Sequence, residues 1–247
     1  LAKEKLEHYL TYIDPLYEVN WHHHVMAEKL QLFFERKIKN LMIFMPPRHG
    51  KTQTASKYGP SWALGKDPDL RIIVTSYGQD LSASFNREVQ RVIESEIYNE
   101  IFPETTISGT YQKSEGNWKK TGEEFEVVGR RGGYKSAGVG GAITGFGGNI
   151  IIIDDPYKNA EEANSPTVRR KVWDWYRTTL YTRKEKDAGI LLIQTRWHEE
   201  DLAGMLIEEM KKGGAEAEHF EIVSFPAVLE SENDIDPRKA GEALWPN

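Results

Sequence analysis

The stretch Leu41-Met-Ile-Phe-Met45-Pro-Pro-Arg-His-Gly50-Lys51-Thr52 decides how this chain is read. An apolar run ends in a tight, proline-stiffened turn, and a helix-compatible segment follows from Lys51 to Leu64. Strand, loop and helix in that order form a phosphate-binding loop, in which backbone N–H groups and the positive end of a helix face a polyphosphate. Gly50 lets the main chain approach the phosphates, the Lys51 ammonium can reach the β- and γ-oxygens, and the Thr52 hydroxyl can ligate Mg²⁺. Pro47, His49 and Gln53 complete the set expected to touch nucleotide. The usual pattern opens with a glycine five residues before Gly50, where this chain has Met45. Alone, the Gly-Lys-Thr triplet is equally compatible with a plain turn before a helix.

A second signature separates the two readings. Asn149-Ile-Ile-Ile-Ile-Asp154-Asp155-Pro156 is a buried strand that ends in paired carboxylates. Facing a phosphate loop, Asp154 would hold Mg²⁺ and Asp155 would orient the attacking water, with Glu161 or Glu162 just downstream as alternative bases. Two acids that merely cap a following helix are the simpler alternative, but burying such a pair without a cation is costly.

Outward from these motifs the chain alternates strand and helix signals, which predicts an α/β domain with a mostly parallel sheet. Two helices are expected first, over Ala2 to Tyr12 and His23 to Lys39. Between them lies Tyr17-Glu-Val-Asn-Trp21-His22-His23-His24, whose aromatic and imidazole groups, Trp21 and His22 foremost, are candidates for contact with a nucleotide base; a plain helix entry is the alternative. A strand at Arg71 to Ser76 and a helix from Gln79 to Ile97 come next. Phe102 to Val128 reads as a β-rich excursion at a sheet edge with turns at Gly109, Gly116 and Gly122. The segment from Gly129 to Gly148 is too glycine-rich for a helix or plain strand and reads as a mobile loop. It carries Arg130, Arg131 and Lys135 at its start, cations that can approach phosphate in this subunit or a neighbour's. Glu161 to Lys184 reads as helical, started by Ser165-Pro166, with a cationic face of Arg169, Arg170, Lys171, Arg177, Arg183 and Lys184 suited to DNA phosphates or a neighbouring subunit. The strand Gly189 to Gln194 should lie beside the Asp-Asp strand, which brings Gln194 and Thr195 near a γ-phosphate. A last strand, Phe220 to Phe225, leads into an acidic tail punctuated by Pro226, Pro237 and Pro246.

Composition sets outer limits. With 247 residues, 39% hydrophobic and 28% charged, the chain can bury a large core. It contains no cysteine, which excludes disulfides and thiolate metal sites and favours an intracellular setting. Its apolar runs are too short to span a bilayer, so a soluble protein without membrane partners is expected. The formal charge of −6 disfavours coating nucleic acid by bulk charge and leaves room for a local basic strip. Starting at Leu1 and stopping at Trp245-Pro246-Asn247, the sequence reads as part of a longer chain.

Together, Pro46 to Thr52, Ile150 to Pro156 and Gln194-Thr-Arg-Trp-His-Glu-Glu-Asp-Leu202 resemble the ATPase region of the large terminase subunit of tailed bacteriophages, over nearly the whole chain. The resemblance implies a three-layer phosphate-loop NTPase of the additional-strand type, using ATP and Mg²⁺ to pump double-stranded DNA into a procapsid. Its implied partners are a homo-oligomeric ring, a pentamer, together with the portal protein and the small terminase subunit, in the host cytoplasm and transiently on the portal. It further implies three segments: helices over 1–40, an ATPase core over 41–225, and a linker or small subdomain over 226–247 leading to a nuclease domain. Lys51, Arg48 and Asp155 would act in catalysis, Arg48 also contacting the nucleotide, and Gln194 and Thr195 would couple hydrolysis to motion. In this branch the second acid is usually glutamate, and aspartate is shorter by about 1.3 Å. Many relatives carry an arginine where this chain has Phe146, which leaves Arg130, Arg131 or an arginine elsewhere as the candidate finger. A superfamily-two-like helicase or other DNA-stimulated ATPase, and a non-hydrolysing nucleic-acid-binding module, are the alternatives.

Overall fold

A computed structural model describes residues 1–107, 118–213, 217–232 and 236–245. Two helices, α1 (Leu6–Ile13) and α2 (Trp21–Phe34), precede the first strand, β1 (Asn40–Phe44). α2 starts where it does because of a capping box: the Asn20 side chain accepts from the first turn, and His23 Nδ1 accepts the Asn20 N–H at 3.0 Å. After the phosphate loop, a π-helical stretch, Gln53–Tyr58, runs into α3 (Gly59–Lys66). Then come β2 (Arg71–Ser76), α4 (Gln79–Ile93), α5 (Glu96–Ile101), β3 (Glu124–Glu126), β4 (Gly133–Gly138) and β5 (Gly148–Asp154). The remainder is α6 (Ala160–Asn164), α7 (Pro166–Trp175), β6 (Lys184–Gln194), α8 (Leu202–Lys212) and β7 (Glu221–Ser224).

The seven strands form one sheet in the order β3-β4-β2-β5-β6-β1-β7, parallel except for the antiparallel β3–β4 edge. Central strands in such a sheet are covered on both faces, which explains their unbroken apolar runs. Successive side chains still part to opposite sides. Ile150 and Ile152 join Leu41, Ile43 and Leu191 under α1 to α4, whereas Ile151 and Ile153 join Met42, Ile190 and Leu192 under α6 to α8. The result is the expected three-layer α/β/α fold. β6 stands between β1 and β5, so the strand inserted between the phosphate-loop strand and the Asp-Asp strand is the one ending in Gln194, and β2 lies beyond β5.

Three local readings need correction. Residues 133–138 form a strand, not a loop: a Cβ on Gly133 would come within 2.4 Å of the Phe125 carbonyl oxygen, and one on Gly138 within 2.6 Å of the Gln79 nitrogen. Glycine is what lets β4 approach β3 and the start of α4. The helical region after Asn159 is broken into α6, α7 and a π and 3₁₀ continuation over Tyr176–Leu180 and Tyr181–Arg183. On it, Arg169 is buried, donating to the Ala163 carbonyl and pairing with Glu200 at 2.9 Å, and Lys184 pairs with Glu218, so neither belongs to a solvated cationic face. The turns expected at Gly109 and Gly116 lie outside the described residues. Among the described residues, no helix is long and apolar enough to cross a membrane.

Candidate active site at the strand ends

The site lies where β1, β6 and β5 end side by side. β1 gives way to Met45 and a turn in which Arg48 (φ 65°) and Gly50 (φ 82°) adopt left-handed backbone. A side chain at Gly50 would be excluded twice, by that φ and by His23 Nε2, which would lie 2.6 Å from its Cβ. His23 instead braces the loop. With Nδ1 accepting from Asn20, the neutral ring carries its proton on Nε2 and donates to the His49 carbonyl at 3.1 Å. Burial, the largest influence, lowers the His23 pKa to about 4, and the bond to His49 only partly opposes it, so this tautomer persists at neutral pH. The Tyr17 hydroxyl, 2.6 Å from Thr54 Oγ1, ties the first helical turn to the same segment.

Lys51 opens the helix and is buried. Its Nζ lies 2.8 Å from Asp155 Oδ2 and 3.3 Å from Thr195 Oγ1, which itself donates to the Met45 carbonyl. The next residue, Thr52, donates through Oγ1 to Asp154 Oδ1 at 3.2 Å, and about one turn further on Ser56 Oγ donates to Asp154 Oδ2 at 2.6 Å. Asp154 is 1% exposed; burial above all, then Asp155, pushes its pKa up to about 7 against the pull of Ser56, Lys51 and Thr52. Consecutive strand residues point to opposite faces, so two adjacent acids converge only if the strand stops between them. Here β5 stops at Asp154, and Asp155 takes φ 44°. It is pinned there by its N–H to the Ile193 carbonyl, its carbonyl to the Tyr77 N–H and its Oδ1 to the Thr195 N–H. Lys51, Thr52, Asp154, Asp155 and Thr195 are thus brought into one cluster.

Gln194 is buried at the end of β6, its amide atoms without a hydrogen-bond partner among the described residues. Gln53 accepts from Lys57, and Pro47 is bonded through its carbonyl to the His49 ring. Glu162 caps the Lys158 N–H beside α6. His22 is fully buried among the rings of Trp21, Phe225, His49 and Trp245, and burial lowers its pKa to about 3. Trp21 is packed against Phe225 and under the Arg238 guanidinium. Arg130 and Arg131 precede β4, whose first residue pairs with the first residue of β2, so they stand at the opposite end of the sheet from this chain's phosphate loop. They line a cavity of about 770 Å³ there, and Phe146 packs nearby beneath Arg71 at 4.3 Å. Sequence reasoning missed Ser56 and the bracing role of His23 and Tyr17. Ser56 was open to inference, since it follows Thr52 by four residues and so shares its helix face; the other two depend on long-range packing.

Hard oxygen donors, a hydroxyl and a carboxylate, suit Mg²⁺. No group of three or more His, Asp and Glu side chains among the described residues forms a self-contained metal site. Such a donor set, beside a buried lysine and a helix start, is suited to a metal–polyphosphate.

The carboxyl-terminal tail closes over this end of the molecule. Arg238 pairs with Asp236 at 2.6 Å inside the fold and donates to the carbonyls of Pro226 and Glu242, while Val228 bridges Ala243. Trp245 thereby comes to rest against His22, His23 and His49.

No curated protein matches the chain. Among solved structures, a mutant of the Thermus phage P74-26 large terminase ATPase domain is similar at 15% identity and TM-score 0.47, over 80% of each chain. S. cerevisiae dbp5, in a complex with nup159, gle1, ip6 and adp, is similar at 10% identity and TM-score 0.44, over 88% of this chain and 52% of that one. Residues 42–244, from the phosphate-loop strand through the tail, match the family described as "Terminase large subunit, T4likevirus-type, N-terminal". That match takes in both acids, the phosphate loop and the β6 strand end, and by it the chain belongs to the large terminase subunits.

Proposed function

We propose that this chain is the ATP-hydrolysing motor part of a viral DNA-packaging enzyme, converting ATP and water to ADP and phosphate and using the reaction to move double-stranded DNA into a procapsid. The observation that carries the proposal is the convergence of Lys51, Thr52, Asp154, Asp155 and Thr195 at three adjacent strand ends. Thr52 and Asp154 would hold Mg²⁺, which, when bound, neutralises charge on the β- and γ-phosphate oxygens. A cation also offsets the cost of the buried Asp154 carboxylate.

The Lys51–Asp155 pair gives the site a built-in order of events. Lys51 is paired with the carboxylate that is to position water. A γ-phosphate competes for the lysine, and Asp155 is then free to accept from water while Lys51 stabilises the charge of the transferring group. Thr195 donates its N–H to Asp155 and its hydroxyl to Met45, so a change at the phosphate is passed to the β6 strand end. Gln194 beside it completes the coupling element.

The wider reading has the chain work in a homo-oligomeric ring, a pentamer, on the portal protein in the host cytoplasm, with the small terminase subunit delivering DNA. Arg130 or Arg131, remote from this chain's own phosphate loop, would then serve a neighbour's site; the Arg131 side chain is 88% exposed. Replacing Lys51 by alanine tests the core of the proposal. Turnover of Mg-ATP should be abolished with the fold retained by circular dichroism, and undiminished turnover would refute it.

A further inference from the structure

We propose that the cleft between the phosphate loop and the carboxyl-terminal tail receives the base of the bound nucleotide, with the Trp245 indole as its stacking surface. The inference rests on the nucleotide reading above. It assigns the base to a part of the chain distant in sequence from Trp21 and His22, the aromatic groups expected to meet it.

The cleft measures about 590 Å³ and is lined by Glu18, Arg48, His49, Ala227, Leu244 and Trp245 among others. It runs directly into the phosphate loop, because Arg48 and His49 are the two residues before Gly50-Lys51. A triphosphate on Gly50 to Thr52 therefore has an adjoining chamber for its nucleoside. The walls suit one. Trp245 is half-buried and held by three imidazoles, with ring centroids 5.5 Å from His22, 5.2 Å from His23 and 6.4 Å from His49. All three planes are inclined 65–75° to the indole, which fixes its orientation. Ala227 and Ala243 are too small to fill the space beside it. Arg48 is exposed and has no acidic partner within ion-pair distance among the described residues, which leaves its guanidinium free for phosphate or for the face of a base. Glu18, also in the lining, supplies an acceptor.

The tail does not hang there by chance. Arg238, buried and bonded to Asp236, Pro226 and Glu242, fixes the segment, and Leu244 is buried with its N–H on the Ala227 carbonyl. His22 lies beneath Trp245 with no exposed surface and serves as its support.

Equilibrium binding of two probes, ATP and inorganic tripolyphosphate, each with Mg²⁺, tests the proposal. Both share the phosphate subsite, and only ATP has a base. Base–aromatic stacking is worth about 5- to 150-fold in affinity. Trp245→Ala should weaken ATP binding by about that factor and leave tripolyphosphate binding unchanged, and Trp245→Phe should restore most of the loss. If Trp245→Ala leaves ATP binding intact, or weakens both probes equally, the base is not on Trp245, although the phosphate loop keeps its role. If the unaltered protein binds neither probe, the phosphate reading fails and takes this inference with it.

Discussion

Replacing Ser56 by alanine removes one of the two hydroxyls that hold Asp154, and the cost should depend on pH. Ser56 is fully buried and donates to Asp154 Oδ2 at 2.6 Å. Burial, followed by the neighbouring Asp155, raises the Asp154 pKa to about 7. Near pH 5 the folded protein therefore carries Asp154 mostly protonated, and the lost bond joins neutral groups, worth about 0.5–1.5 kcal/mol. Near pH 8.5 the acceptor is charged, and the same bond is worth about 1.5–3 kcal/mol. The destabilisation by Ser56→Ala should thus grow by about 1 kcal/mol between the two conditions. The parent protein drifts in the same direction for a related reason. An acid whose folded pKa lies above its unfolded value binds more protons when folded, so its contribution is greatest below about pH 4 and is lost as pH rises through about 7. Urea denaturation of both proteins in metal-free buffer, read as midpoint and slope, measures the difference. An equal cost at both pH values, or none at either, would refute the picture of a buried carboxylate that ionises against the Ser56 hydroxyl.

Asp155→Asn should bind Mg-ATP at least as tightly as the parent, because Lys51 no longer has to leave a carboxylate, while turnover falls by about 10²- to 10⁴-fold. Normal hydrolysis would move the base elsewhere, with Glu161 and Glu162 the next to test. Gly50→Ala forces a Cβ into left-handed backbone against His23 and should lower the melting temperature by about 2–8 °C, as read by differential scanning calorimetry; an unchanged value would mean the loop relaxes at no cost.

What could be read in advance was local. The strands around Ile43 and Ile152 announce themselves because both faces are covered and their central residues are all apolar, and the Gly-Lys-Thr and Asp-Asp endings follow from where those strands stop. β4 was hidden for the opposite reason. Its pairing depends on the absence of side chains at Gly133 and Gly138, and a strand made by close approach leaves no apolar pattern to read. The support of the phosphate loop was hidden by distance. His23 and Trp245 are separated by most of the chain, and only the folded tail brings their rings together. Arg169 misled because charge on a helix is usually solvated, whereas here the Ala163 carbonyl and Glu200 draw it inward.

The backbone at Asp155 bears on why the shorter acid stands there. Residues with φ near +44° pay a steric cost from their Cβ that asparagine and aspartate bear more readily than longer side chains do. A glutamate would add reach toward the phosphates, but it would have to hold a conformation that its longer chain disfavours. In this molecule the left-handed residue after β5 already brings its carboxylate to 2.8 Å from the lysine, so reach is supplied by the main chain.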